Sequence, residues 1–193
     1  LDKQFLWDLY LKQNKKCAIS GEAIDFINKT ASLDRIDSSR GYTIDNVHWV
    51  NKDINLMKNK YSMKKFFNWC KLVTKPIISL SDFNFKIKRH KTCWNGYGLI
   101  SGSFFGAIKK SAKRRNFSFN ITAKQLHKLF VKQQGRCALT NVNLIMHDSN
   151  KRLYKGTASV DRINPLIGYE ITNLRFVHKE LNIMKWDYTD KEF

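Results

Sequence analysis

Five polar residues occur twice in this chain at one fixed offset, and their types are those that handle phosphate esters. Asp34, Arg35, Asn46, Asn55 and Lys58 are matched, each 127 positions on and without a gap, by Asp161, Arg162, Asn173, Asn182 and Lys185. A Gly-Tyr pair, Gly41-Tyr42 and Gly168-Tyr169, keeps the same register. A carboxylate and an amide oxygen converging from two elements are hard ligands for Mg²⁺ or Mn²⁺, with most positions left for water and a substrate phosphate. Arg35 and Lys58, with Arg162 and Lys185 in the second copy, would flank that phosphate as cationic clamps. The reaction suited to such a set is metal-assisted phosphodiester hydrolysis.

The elements that must position these groups read as strand, loop, strand, helix. Ala31 to Asp37 is predicted as a strand, Ser38 to Asp45 as a loop turning on Gly41, and Val47 to Val50 as the returning strand. A short helix follows, on which Val50, Ile54 and Met57 form an apolar stripe while Asn51, Asn55 and Lys58 line the adjoining face. Ahead of the unit, Asp2 caps a helix through Leu6, Leu9 and Tyr10 to Gln13. Its counterpart opens with a Thr122/Gln125 capping box and carries Leu126, Leu129, Phe130 and Gln133. The offset there is 120, so the loops after Cys17 and Cys137 differ by seven residues. Ser62 caps a further helix that ends near Pro76. In the second copy a Thr189/Glu192 capping box begins the equivalent helix just before Phe193, and with Leu1 in first place this suggests part of a longer chain.

Thirty-five Lys and Arg against sixteen Asp and Glu leave a net charge of +19 over 193 residues. The natural counter-surface is a polyanion, and nucleic acid fits best because its phosphates release counterions on binding. DNA is the expected partner; RNA is the other polymer that charge alone admits. The basic residues concentrate in Ser101 to Asn120, a predicted helix ending in Lys109, Lys110, Lys113, Arg114 and Arg115, which would lie against a phosphate backbone. No apolar run reaches membrane-spanning length, and no isolated amphipathic helix with a lysine face suggests a membrane surface. Cys17, Cys70, Cys93 and Cys137 form no Cys-x-x-Cys pair, so neither zinc nor a disulfide framework is expected, and a reducing, cytoplasmic setting is the default.

At the repeated residues the chain resembles the HNH endonucleases, the ββα-metal or His-Me finger class. The resemblance implies an α+β fold of two tandem modules: residues 1–75, a linker 76–100 with an extended piece at Phe83 to Ile87, and residues 101–193 with the basic helix first. It implies that Asp34 and Asn55, and again Asp161 and Asn182, hold the metal, and that Asn46 and Asn173 brace the loop beside it. In that family the strand usually carries Asp-His, the histidine acting as base. Here Arg35 and Arg162 stand in that position, and a guanidinium does not take up a proton at neutral pH. Some rare-cutting restriction enzymes of the class share Asp-Arg and Gly-Tyr, and there the arginine is similar to a phosphate clamp. Their zinc-binding cysteines are absent, with Ser20, Ile54, Thr140 and Leu181 at those places, so hydrophobic packing is expected instead. Tyr42 and Tyr169 are either weak acid-base groups near phosphate or turn residues plugging a core. His48 and His178 have no shared counterpart and read as surface or packing residues. The expected activity is a metal-dependent DNA endonuclease acting as a single-chain pseudo-dimer with one site per module. The alternative is a nucleic-acid-binding protein whose HNH-like modules are catalytically inert.

Overall fold

The computed structural model describes residues 1–75, 96–146 and 156–193. Among them the chain is mixed α and β, with six α-helices and two two-stranded antiparallel hairpins, each packed against helices as a small ββα unit. It divides into two compact units, Leu1–Leu72 and Val73–Phe193. The extended piece expected at Phe83 to Ile87 lies outside the described residues.

In the first unit α1 (Lys3–Lys12) starts where Asp2 accepts the Phe5 N–H at 2.7 Å, satisfying one of the orphan donors of the first turn. Then come β1 (Ala31–Arg35), a 3-10 turn (Ile44–Asn46), β2 (Val47–Asn51), α2 (Lys52–Lys58) and α3 (Met63–Val73). β1 ends two residues before the expected Asp37, because the side chain of Asn46 takes over both backbone groups of Asp37 and turns the chain into the loop. Asn51, expected on the face of α2, is instead the last residue of β2 and the cap of α2, accepting the Asp53 N–H at 2.8 Å. A short helix gains more from a capped first turn than from one further exposed amide.

The second unit repeats the order. α4 (Gly102–Arg114) precedes α5 (Ala123–Lys132), β3 (Ala158–Arg162), a 3-10 turn (Ile171–Asn173), β4 (Leu174–His178) and α6 (Lys179–Lys185). The predicted capping box at Thr122 and Gln125 is present.

Two devices hold each hairpin to the helix before it. The first is apolar: Tyr10, Cys17, Ile24 and Val50 form a buried cluster against which Trp49 and Ile54 pack. Phe130, Cys137, Leu144, Val177 and Leu181 occupy the equivalent places and are equally buried. Full burial of each large side chain stabilises by about 1.5–3 kcal/mol. The second is a glutamine. Oε1 of Gln13 accepts the Trp49 N–H at 2.8 Å and its Nε2 donates to the Trp49 carbonyl at 2.8 Å, so a side-chain amide pairs with the outer edge of β2 as a neighbouring strand would. Gln133 does the same to Phe176 at 2.8 and 2.9 Å.

Candidate functional site

The hairpin register fixes what surrounds the repeated carboxylate. Residues directly opposite across an antiparallel pair share a face, and β1 pairs Asp34 with His48 while β3 pairs Asp161 with Arg175. Nε2 of His48 lies 3.0 Å from Oδ2 of Asp34. In the second unit Arg175 donates from Nε to Asp161 at 2.8 Å, and its two terminal nitrogens fork onto Asp190. Neither residue was expected at the site, because comparing the two copies discards positions that differ; the register alone would have found both.

From the helix side a lysine closes the arrangement. Nζ of Lys58 is 3.0 Å from both oxygens of Asp34, and it donates further to the Arg35 carbonyl at 3.0 Å and the Ser38 hydroxyl at 3.2 Å. All three ammonium protons have acceptors, and the residue is wholly buried. Lys185 stands likewise, 3.5 Å from Asp161 and 3.4 Å from the Arg162 carbonyl, and is also wholly buried. Burial pushes the Asp34 carboxyl up, but hydrogen bonds from His48 and Lys58, with the charge of the lysine, outweigh it and hold the group below the usual carboxylate range. The expected phosphate-contacting role of Lys58 and Lys185 is therefore corrected: both ammonium groups point inward, where an internal carboxylate compensates a charge too costly to bury alone.

The remaining expected residues separate into distinct places. Asn55 reaches β1 from α2 and donates its amide to the Ser32 hydroxyl at 2.8 Å and the Leu33 carbonyl at 3.3 Å; Asn182 does the same with Ser159 and Val160 at 2.7 and 3.2 Å. Asn46 accepts the Asp37 N–H and donates to the carbonyls of Asp37 and Gly41, a brace across the loop that Asn173 repeats on Asn164 and Gly168. Both amides are consumed by the loop, so they shape it rather than face a reacting atom.

The two arginines, equivalent in sequence, are not equivalent in exposure. Arg35 is half-buried, lies over the ring of Tyr42 at 5.2 Å and donates to the Arg40 carbonyl at 3.0 Å. Tyr42 is 56% exposed, so this edge of the loop is open. Arg162 is buried, 3.8 Å from the ring of Phe117 and beside Tyr169, and it donates to the carbonyls of Pro165 and Ile167. Phe117 belongs to the segment between α4 and α5. That segment also pairs with the loop through Phe119 and Tyr169, and Gly168 is required there because a Cβ would stand 2.7 Å from the Ser118 carbonyl. A phosphate can approach Arg35; Arg162 is corrected from a clamp to an internal support of its loop.

A divalent cation does not fit this carboxylate as it stands. It would share the oxygens of Asp34 with an ammonium group 3.0 Å away, setting three positive charges against one negative. The second expected ligand, Asn55, is anchored by its amide to β1, and among the described residues no group of three or more His, Cys, Asp or Glu is placed to hold a metal ion. The same applies to Asp161 and Asn182, where Arg175 adds another cation.

Lys109, Lys110, Lys113 and Arg114 are exposed on α4, and Arg115, which caps its end, is exposed as well. Arg115 also pairs with Asp187 at 2.9 Å. Where α4 passes β3 and α6 it walls a cavity of about 270 Å³ that reaches Asp161, Arg162 and Asn182.

No protein-family profile matches this chain, and no solved structure does. It is 26% identical over 161 residues to a protein of Acanthamoeba polyphaga mimivirus described as "Uncharacterized protein R423", a match covering 83% of this chain and 27% of that protein. The chain thus spans about a quarter of the length of the curated relative it matches.

Proposed function

We propose that this chain binds nucleic acid through two HNH-like ββα modules, with DNA as the partner. The observation that carries the reading is charge in a definite place: five exposed cations in one stretch at the end of α4, on a chain of net charge +19. The internal lysines stand where a nuclease of this type would offer its carboxylate to a metal, which favours modules that bind without cutting. Anisotropy titration of the full chain with labelled duplex DNA and duplex RNA tests this. DNA binding should weaken steeply between 50 and 200 mM salt, by about a few hundredfold for roughly five phosphate contacts. Replacing Lys109, Lys110, Lys113 and Arg114 by glutamate should abolish it; unchanged affinity in that variant refutes the assignment to α4.

A second reading is favoured by a specific observation, the recurrence of Asp, Asn and Arg around both hairpins with Arg35 open to approach at the loop beside Tyr42. On that reading the chain is a metal-dependent endonuclease that hydrolyses phosphodiester bonds, and Lys58 must first release its carboxylate. Incubation of supercoiled plasmid with the chain in Mg²⁺, in Mn²⁺ and in EDTA separates the two. Nicking that needs the metal and is lost in the Asp34→Ala, Asp161→Ala double variant supports the enzyme; binding without nicking in either metal supports the first reading.

A further inference from the structure

The most unusual residue of the second unit lies just past α6 and took no part in the repeat. Trp186 stops the helix with φ 48° and ψ −123°. The Tyr188 N–H returns to the Lys185 carbonyl at 2.9 Å, so Trp186 is the first corner of a type II′ turn, a position dominated by glycine and asparagine. The first unit makes the same turn with Asn59 at φ 49° and ψ −130°, closed by the Tyr61 N–H on the Lys58 carbonyl at 3.0 Å. A bulky aromatic is a poor choice for that backbone. Packing gives no return for it either: the side chain is 70% exposed and makes no ring contact among the described residues.

What the indole does is form a wall. It borders both the cavity of about 270 Å³ and an adjoining, larger one of about 570 Å³, the two sharing Ser111, Arg115, Ser159 and Asn182. Arg114 and Lys179 line the larger cavity. Asp187 is the one carboxylate common to both, and Arg115 and Arg162 already pair with it. A flat apolar face, small polar groups beneath it and arginine and lysine at the rim match a nucleotide part by part: base on indole, base edge on Ser159 and Asn182, flanking phosphates on Arg114 and Lys179. Within a duplex the base faces are covered by their neighbours, so the occupant has to be unpaired.

We infer that Trp186 is a stacking platform for an unpaired base of a single-stranded nucleic acid, held in the groove between α4 and α6. This rests on the nucleic-acid reading above and goes further by naming a strand form and a residue. The test uses the full chain, a twelve-nucleotide oligothymidylate, the same oligonucleotide with abasic sites, and a duplex. Trp186→Asn installs the residue that the first unit carries in the same turn, so its fold is expected to survive and its melting temperature to rise. Single-strand affinity should fall about tenfold, the scale of one lost stacked base, while duplex affinity stays within about twofold. The abasic oligonucleotide should bind wild type and variant alike. Three results overturn the inference: single-strand affinity within about twofold of wild type, equal losses on single strand and duplex, or a variant that melts lower, which would make Trp186 structural. If the wild-type chain binds neither single strand nor duplex, the nucleic-acid reading itself fails, an outcome distinct from those three.

Discussion

Replacing Lys58 by methionine removes one charge from a sealed site and shows whether that charge excludes a metal. Nζ lies 3.0 Å from the Asp34 oxygens, where the attraction at an effective dielectric of about 20 is roughly 5 kcal/mol. Leaving the carboxylate buried without its lysine should cost the first unit about 3–5 kcal/mol. Changing both partners, Asp34→Leu with Lys58→Met, should recover most of that, because no charge is then stranded. Calorimetry of the full chain, with and without Mn²⁺, measures both effects. Wild type should melt at the same temperature in Mn²⁺ and in EDTA. The single Lys58→Met variant, its carboxylate released, should gain stability from Mn²⁺, about 2.7 kcal/mol at a hundred times the dissociation constant. Lys185→Met should cost less, since Arg175 at 2.8 Å still compensates Asp161. Mn²⁺ stabilisation of the wild type, or a Lys58→Met loss under about 1 kcal/mol, would refute the reasoning that the ammonium holds the site.

Acid should unfold the first unit. The Asp34 carboxyl is held below its unfolded range, so its contribution is complete above about pH 4 and is lost as pH falls through the lower folded value. Asp34→Asn should melt lower at pH 7 yet lose less between pH 5 and pH 3, as followed by circular dichroism. Gly168→Ala would bring a Cβ within 2.7 Å of the Ser118 carbonyl and should cost the second unit roughly 1–3 kcal/mol in urea unfolding. Gly41→Ala, with nothing within 4 Å, should stay within about 0.5 kcal/mol.

Much of the framework was legible because it depends on local chemistry. Thr122 and Gln125 announce a helix start, Asn46 and Asn173 mark a loop that must be braced, and the period of the apolar residues separates hairpin from helix. The site was less legible because it depends on direction. A lysine at a helix end is solvated by default, and nothing in the spacing of Asp34 and Lys58 says that the ammonium turns inward rather than toward a substrate. Asp34 and Arg35 are neighbours in sequence but have separate partners: Asp34 faces α2 and His48, while Arg35 turns to the loop at Arg40 and Tyr42. The fate of Arg162 was decided outside the repeat, by Phe117, so likeness between the copies pointed the wrong way. Trp186 was passed over because a residue that differs from its counterpart looks like drift until its backbone conformation is known.

The glutamines on β2 and β4 bear on how such a chain can carry two copies at all. A two-stranded ribbon has bare edges, and a similar ribbon elsewhere in the same chain is a strand available to join one during folding. With Gln13 and Gln133 each filling the outer edge at one residue, that approach is obstructed by a group already bonded in place. One edge of each sheet is blocked by its own helix. A gene segment encoding such a unit can be duplicated in tandem without its two products competing for one another's strands.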